Sequence, residues 1–256
     1  MAVSRPLAIS PLANRFIAMA ANDSRPNWTA TADLIKRAGR FVLAPEVVKL
    51  TLKMPEPAKL LPATVHGIRL PHDPCWIEYS PEQVFAGSDI GEAAKQCGFL
   101  FWRDAAGDVC NRLVVRKRTG AFVQLGLVVP NADAISIMLY PCDAVFRPGG
   151  IVVRDTQPCP RADDMLNFRR NAETLGWIGF MLVLLLTAKN APLTMGESEN
   201  LERLNRQRAH AGKPPLFSAR PVNGISRVRN GELSVRVPPS TRGPARRQCL
   251  TWSVDI

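Results

Sequence analysis

One run of residues, Leu175 to Ala188, constrains the fold of this chain more than any other segment. Its side chains are almost all apolar or small, so a helix built from them would be apolar on every side. The run has 14 residues, whereas a helix needs about 20 to cross a bilayer. We therefore predict a core helix that is buried on more than one side. Asp163 and Asp164 stand where this helix would begin, and carboxylates are favourable at the positive end of a helix dipole.

The segment that precedes this helix contains apolar stretches of strand length separated by turn-forming residues. The predicted strands lie at 75–79, 98–103, 109–116, 121–129, 135–140 and 151–153. Asp104 to Asp108 has the composition of a hairpin loop, and the sequence indicates no crossover helix between the strands. We predict an α+β fold in which an antiparallel β-meander is covered by the long apolar helix.

The N-terminal part of the chain carries the signals of short helices. Pro11 stands near the start of one of them. Thr31 could cap a second helix over 32–38, which Gly39 would end. The segment 45–54 fits a third helix, although its β-branched residues leave a strand as the alternative.

Positive charge is concentrated at the C-terminal end. Residues 201–256 contain eleven Lys and Arg against three Asp and Glu, which gives this segment +8 of the formal net charge of +11. Such asymmetry is typical of a chain with a polyanionic partner. We predict three regions: a helical segment over 1–60, an α+β core over 61–190 and a basic C-terminal region over 191–256.

Two elements are predicted in the basic region. The first is a helix over 201–211 that Gly212 ends. The second is a hairpin over 225–237 that turns at Asn230-Gly231, the strongest two-residue turn signal. In that register Ile225 faces Arg236, and the outer side of the ribbon is basic. Residues 240–248 would form a mobile basic tail.

These elements carry the predicted nucleic-acid-binding residues, which are Arg203, Arg206, Arg208, Lys213, Arg227, Arg229 and Arg236. They would contact phosphates, and the affinity would then depend on salt and tolerate different sequences. In the alternative, Arg206 and Lys213 hold the loop to the core and the other arginines only cover the surface. A second basic cluster, over 112–118, is either a solvated strand edge or an anion contact.

Two segments resemble proteins encoded by tailed bacteriophages and prophages, a group with no established activity. In those proteins an apolar helix ends in Ala-Lys-Asn, as at Ala188-Lys189-Asn190, and Leu-Asn-x-x-Arg and Gly-Lys-Pro-Pro-Leu follow, as they do over 204–216. The segment 75–79, Cys-Trp-Ile-Glu-Tyr, is similar to a Trp-Ile-Glu-aromatic strand of the same group. The chain departs from this pattern after Val237, where a longer basic and aromatic end is expected. The resemblance implies a phage source and action in the bacterial host cytoplasm.

We therefore predict a phage-encoded accessory binding protein that contacts nucleic acid, or a host nucleic-acid machine, through its basic C-terminal surface. One alternative is a virion or assembly component, which could be an oligomer. Another is an enzyme that acts on a phosphodiester through Glu78, Asp108 or Asp143. Such enzymes usually cluster carboxylates around metal ions, and no such spacing occurs in the sequence, so no catalytic residue is assigned.

Cysteine and histidine spacing predicts neither a metal site nor a cofactor. Six cysteines occur without a C-x-x-C pair, which is typical of reduced thiols in a cytoplasm. His66, His72 and Cys75 are close in sequence, but a fourth ligand is missing and their spacing matches no standard zinc site. The N-terminus lacks the continuous apolar core of a secretory signal. We expect a cytoplasmic protein without a membrane partner.

Overall fold

A mixed sheet with helices on both faces forms the centre of the computed structural model. The structure describes residues 10–52, 69–84, 94–117, 137–147, 150–158, 162–188, 193–198, 200–225, 232–236 and 249–253, with the backbone alone at 223–225, 232–236 and 249–253. Its helices are α1 (Pro11–Ala20), α2 (Pro26–Arg37), α3 (Pro45–Leu52), α4 (Pro81–Val84), α5 (Ala162–Thr187) and α6 (Glu202–His210). Its strands are β1 (Gly39–Leu43), β2 (Cys75–Tyr79), β3 (Ala94–Arg103), β4 (Val109–Lys117), β5 (Ile137–Arg147), β6 (Gly150–Asp155), β7 (Leu193–Met195), β8 (Arg220–Ile225), β9 (Glu232–Arg236) and β10 (Cys249–Ser253).

Eight strands form one sheet in the order β6-β5-β4-β3-β2-β1-β8-β7. Strands β2 to β6 follow one another as antiparallel neighbours, whereas β1 lies parallel to both β2 and β8. The mixed α+β class with a mostly antiparallel sheet is confirmed. The strand predicted at 121–129 lies outside the described residues. None of the described helices has the length and apolar content that a membrane crossing requires.

The sheet takes strands from all three regions that the sequence suggested. β1 comes from the N-terminal segment, and β7 and β8 come from the basic region. These three strands were not predicted, because they are short and β8 contains Pro221 and Gly224, residues that are rare inside strands. Strands from the three predicted regions are therefore joined in one sheet.

Alternating side chains divide the core between the two faces of the sheet. Helices α1 and α2 pack on one face, where Phe16 and Ile35 belong to the same buried cluster as Trp76, Leu100 and Val114. Helices α3 and α5 pack on the other face, in the cluster that contains the phenylalanine side chains of β3 and β5. The sheet is therefore buried on both faces along its central strands.

Small residues bring α5 close to the sheet. A Cβ atom at Gly179 would lie 2.9 Å from ring atoms of both Phe99 and Phe101, and one at Gly176 would lie 3.0 Å from the Cβ of Ala144. The helix is buried at every residue over 179–186. The aromatic rings of the sheet therefore pack directly against the backbone of α5.

In the N-terminal part the cap predicted at Thr31 was wrong, whereas the third helix was confirmed. Helix α2 begins at Pro26, so Thr31 lies inside it rather than at its cap. The Thr31 hydroxyl donates to the Asn27 carbonyl at 2.6 Å. Gly39 opens β1, and the segment that could have been a strand forms α3. Proline at the first helical position pre-sets φ, which explains why the helix starts before the Thr31 signal.

The register predicted for the C-terminal hairpin was also wrong where it can be compared. Ile225 pairs with Leu193 in the large sheet, and Arg236 pairs with Cys249 in a separate two-stranded sheet of β9 and β10. Strands β8 and β9 therefore belong to different sheets. The Asn230-Gly231 turn and the predicted tail at 240–248 lie outside the described residues.

Candidate nucleic-acid interface

Helix α6 is displayed on the surface and has no buried residue of its own. Leu201, just before the helix, is buried, and the side-chain oxygen of Asn200 accepts from the Glu202 backbone N–H at 2.9 Å. Arg203 and Arg206 are exposed and three residues apart, so they lie on one side of the helix. Neither makes a hydrogen bond or an ion pair within the described part of the chain.

Side-chain hydrogen bonds join α6 to the loop that follows it. The Asn205 amide donates to the Leu216 carbonyl at 2.9 Å, and its oxygen accepts from the Leu216 N–H at 2.7 Å. The Arg208 Nε donates to the Pro214 carbonyl at 2.8 Å. Gly212 turns the chain with a φ of +65°, which glycine adopts without strain. Helix α6 and the loop over 211–217 therefore form one hydrogen-bonded unit, which we call the α6 unit.

The loop is in turn attached to the sheet and to α1. Asn14 accepts from the Phe217 N–H at 2.7 Å and donates to the Phe217 carbonyl at 3.1 Å. The Arg40 Nε donates to the Ser218 carbonyl at 2.8 Å, and its guanidinium lies 5.0 Å from the centre of the Phe217 ring. These contacts fix the position of α6 relative to the core, although α6 itself buries nothing.

Arg40 also closes the C-terminal end of α2. Its Nη1 donates to the carbonyls of Ile35 at 2.9 Å and Lys36 at 3.1 Å, where the negative end of the helix dipole favours a cation. Burial lowers the pKa of Arg40 from its ordinary value. An arginine pKa starts so high that the guanidinium stays charged at neutral pH. Arg40 therefore acts as a fixed positive group beside the loop.

An open groove of about 780 Å³ lies between α6, the loop and Arg40. It is lined by Arg40, Asn200, Leu201, Glu202, Asn205, Arg206, Ala209, Leu216, Phe217 and Ser218. The Asn205 amide and the Arg40 guanidinium are used in holding the walls. The Glu202 carboxylate and the Arg206 guanidinium have no partner among the described residues.

The predicted binding residues are only partly brought together. Arg203, Arg206 and Lys213 are exposed on the α6 unit, whereas Arg208 is half-buried and bonded to the loop. For Arg236 the structure describes the backbone on β9, and Arg227 and Arg229 lie outside the described residues. The alternative in which Arg206 and Lys213 hold the loop to the core is wrong, because Asn14 and Arg40 do so and neither the Arg206 nor the Lys213 side chain has a partner among the described residues.

Arg40 was missed, and little in the sequence could have found it. It stands alone between Gly39 and Phe41, in a segment where the sequence predicts a helix end. Its position beside the loop arises because β1 pairs with β8, with Phe41 opposite Arg220. This parallel pairing joins parts of the chain that are distant in sequence, and no local pattern predicts it.

Glu78, the first carboxylate considered for catalysis, holds α1 on the sheet. It is 2% exposed and accepts from the Ser10 hydroxyl at 2.6 Å and the Trp76 indole N–H at 2.8 Å. The backbone N–H groups of Leu12 and Ala13, at the start of α1, donate to it at 3.4 and 3.3 Å. Burial raises the pKa of Glu78, although its donors act in the opposite direction.

The other two carboxylates bind arginines at separate places. Asp143 accepts from Arg112 Nε at 2.6 Å and Nη2 at 2.8 Å, and both side chains are buried. Asp108 accepts from Arg147 at 2.8 Å near the surface. Across the described ranges, no three His, Cys, Asp or Glu side chains are grouped so that they could hold a metal ion. The carboxylates therefore do not converge as phosphodiester chemistry requires.

The prediction for the basic cluster over 112–118 was wrong at its first residue. Arg112 is 8% exposed, and besides Asp143 it contacts the Thr31 hydroxyl at 2.8 Å and the Trp102 ring, whose centre is 5.2 Å away. It is thus a core residue and not part of a solvated edge. Arg116 donates to Gln96 at 3.0 Å.

Comparison of the chain with known protein families, curated proteins and solved structures finds no match. The resemblance to phage-encoded proteins therefore stays a prediction, and the functional inference depends on the geometry of the α6 unit.

Proposed function

We propose that this chain is a non-enzymatic accessory protein of a tailed phage or prophage. It acts in the cytoplasm of the bacterial host and binds nucleic acid through the α6 unit. Arg203, Arg206 and Lys213 contact phosphates there, and Arg208 fixes the loop that carries Lys213. Arg227, Arg229 and Arg236 stay predicted contacts of the same partner.

The observation that supports this proposal is that the α6 unit carries unpaired cations on a backbone that is fixed in position. Arg206 and Lys213 are exposed and have no acidic partner in the described residues, yet the helix and loop that carry them are tied by Asn205. A cation that only improves solubility needs no such support. Positions fixed before binding lower the entropy that is lost when phosphates are contacted.

Surface cations elsewhere are neutralised more often. The pairs within 4 Å among the described residues include Arg25 with Asp23, Lys36 with Asp33, Arg147 with Asp108, Arg154 with Asp104 and Arg169 with Asp155. In contrast, the only acidic residue on α6 is Glu202. The α6 unit is therefore a place where a polyanion gains Coulomb energy without breaking existing ion pairs.

Binding of labelled single- and double-stranded oligonucleotides, measured by fluorescence anisotropy at several salt concentrations, tests the proposal. We expect affinity to fall steeply with salt. Replacing Arg203, Arg206 and Lys213 together by Gln should weaken binding and reduce the slope of log K against log salt. The reduction should be about one for each phosphate that the variant no longer neutralises.

A matched control changes net charge equally at residues outside α6 and its loop. Lys49, Arg69 and Arg170 are exposed, and their triple Gln variant should keep nearly the native affinity and slope. Equal losses in the two triple variants would mean that net charge alone drives binding. Absence of binding at low salt would exclude nucleic acid as the partner. Capture of an acidic host protein after nuclease treatment would point to the host machine, and a stable oligomer without nucleic acid to an assembly role.

A further inference from the structure

The groove beside α6 combines three kinds of wall that a phosphate contact alone does not need. Leu216, Phe217 and Ala209 supply apolar surface, Arg206 supplies a cation, and Glu202 supplies a carboxylate. The Glu202 carboxylate suits the first turn of α6, and within the groove it would repel a phosphate but can accept from an N–H group. A ligand that presents an apolar face, an N–H donor and a negative group would satisfy all three.

The free polar groups of the groove are few and differ in character. The Asn205 amide pairs with Leu216 through both its nitrogen and its oxygen, and the Asn200 oxygen accepts from the Glu202 backbone N–H. Within the described part of the chain, Glu202 and Arg206 therefore remain as the charged groups available to a ligand. They are four residues apart on the helix and so lie on the same side of it.

The walls are also held apart before any ligand arrives. Asn205 fixes one wall to α6, whereas Asn14 and Arg40 fix the Phe217 wall to α1 and β1. Arg40 covers the Phe217 ring with its guanidinium and keeps the ring in place. The volume of about 780 Å³ lies in the range of small-molecule sites, roughly 300–1,000 Å³.

We propose that this groove takes an unpaired nucleobase that carries an exocyclic amino group, such as cytosine. The base lies against Leu216 and Phe217, its amino group donates to Glu202, and Arg206 contacts the adjoining phosphate. Carboxylates accept from the cytosine N4 amino group, and apolar or aromatic side chains support single-stranded bases. This inference rests on the proposed function and makes single-stranded nucleic acid the preferred partner.

The test compares dC and dT oligomers of equal length at neutral pH. Both are pyrimidine strands with the same charge, but thymine presents a carbonyl oxygen where cytosine presents an amino group. We expect dC to bind about tenfold more tightly than dT, as one good base contact allows. Cytidine monophosphate serves as a second probe. It shows whether the groove binds a free nucleotide or only a base within a strand.

The variant that decides the matter is Glu202→Gln. If Glu202 accepts from the base, this variant loses the preference for dC over dT. If Glu202 merely repels phosphate, the variant binds both oligomers more tightly by the same factor and keeps their ratio. Glu197→Gln, which removes an exposed carboxylate outside the groove lining, is the matched control and should leave the ratio unchanged.

A third variant tests the apolar wall. Phe217→Leu keeps an apolar side chain but removes the flat ring, and we expect about tenfold weaker binding of single strands with little change for duplexes. Equal affinity of native protein for dC and dT, or an unchanged ratio in Glu202→Gln, would overturn the inference while leaving phosphate binding intact. Absence of any oligonucleotide binding by the native protein would instead refute the proposed function.

Discussion

Three carboxylates were considered for catalysis, namely Glu78, Asp108 and Asp143. Of their replacements by the matching amide, Asp143→Asn should destabilise this protein most. Asp143 lies opposite Arg112 in the β4–β5 register and is 1% exposed. Its two oxygens accept from Nε and Nη2 of the same guanidinium, at 2.6 and 2.8 Å. The substitution keeps the shape but removes the charge, so Arg112 is left as a buried cation without a counterion.

The expected cost follows from that burial. Breaking a buried ion pair by removing one partner costs about 3–5 kcal/mol, because the remaining charge stays desolvated. Domains of this kind are stable by only about 5–15 kcal/mol. The Thr31 hydroxyl and the Trp102 ring still contact Arg112, and Arg154 lies 3.7 Å from Asp143, but none of these groups supplies a negative charge.

Chemical denaturation followed by circular dichroism measures the effect. The control is Asp108→Asn, which breaks the exposed pair with Arg147 and should cost less than about 1 kcal/mol. The double variant Arg112→Met/Asp143→Leu should recover much of the loss, because no buried charge remains. The reasoning is refuted if Asp143→Asn unfolds at the same denaturant concentration as Asp108→Asn.

Three further predictions concern the core. Gly179→Ala should cost about 1–3 kcal/mol, since the new Cβ would lie 2.9 Å from both Phe99 and Phe101 rings, whereas Thr174→Ala on the exposed side of α5 should be nearly neutral in the same melt. Burial raises the pKa of Glu78 above its ordinary value of 4.5. The free energy of unfolding of the native protein should therefore fall relative to that of Glu78→Gln as the pH rises above 4.5. A constant difference between the two free energies from about pH 4 to about pH 7 would contradict this. Burial also raises the pKa of Cys97 to about 12, so Cys75, Cys97, Cys110 and Cys142 should react with a thiol reagent only on unfolding, and fast labelling of Cys97 in native protein would disprove its burial.

Local patterns predicted the parts of the fold that local forces determine. The strand at 75–79 was placed with both ends correct, and the Asp104–Asp108 loop joins β3 to β4 as expected. Alternation and turn residues act within a few positions, so they are visible in the sequence. The parallel strands β1 and β8 were missed, since their pairing depends on partners far along the chain.

The same difference between local and long-range interactions applies to the candidate site. The exposed arginines of α6 could be predicted because charge clustering is a property of the sequence. The bonds of Asn205 to Leu216 and of Arg40 to Ser218 could not, because a side-chain amide or guanidinium has many possible partners until the backbone is placed. Glu78 is a lone acid on its strand in the sequence, and only the packing of α1 shows why it is buried.

The support of α6 leads to a prediction that separates position from charge. A nine-residue helix with no buried residue is marginal on its own, so its order depends on the bonds at its ends and on Asn205. Asn205→Ala removes both bonds to Leu216 and leaves that residue's N–H and C=O unpaired, at a cost of about 1–3 kcal/mol to the local structure.

Amide hydrogen exchange should therefore become roughly tenfold or more faster in α6 while the β3 and β4 amides keep their native rates. Oligonucleotide affinity should fall although no charge has changed, because Arg203 and Arg206 are no longer held in place. Asn22→Ala, at an exposed asparagine with one 3.4 Å contact, serves as the control. If α6 of Asn205→Ala exchanges at the native rate, the loop is held by other contacts; if exchange rises but affinity does not fall, a fixed arrangement of the arginines is not what the nucleic acid recognises.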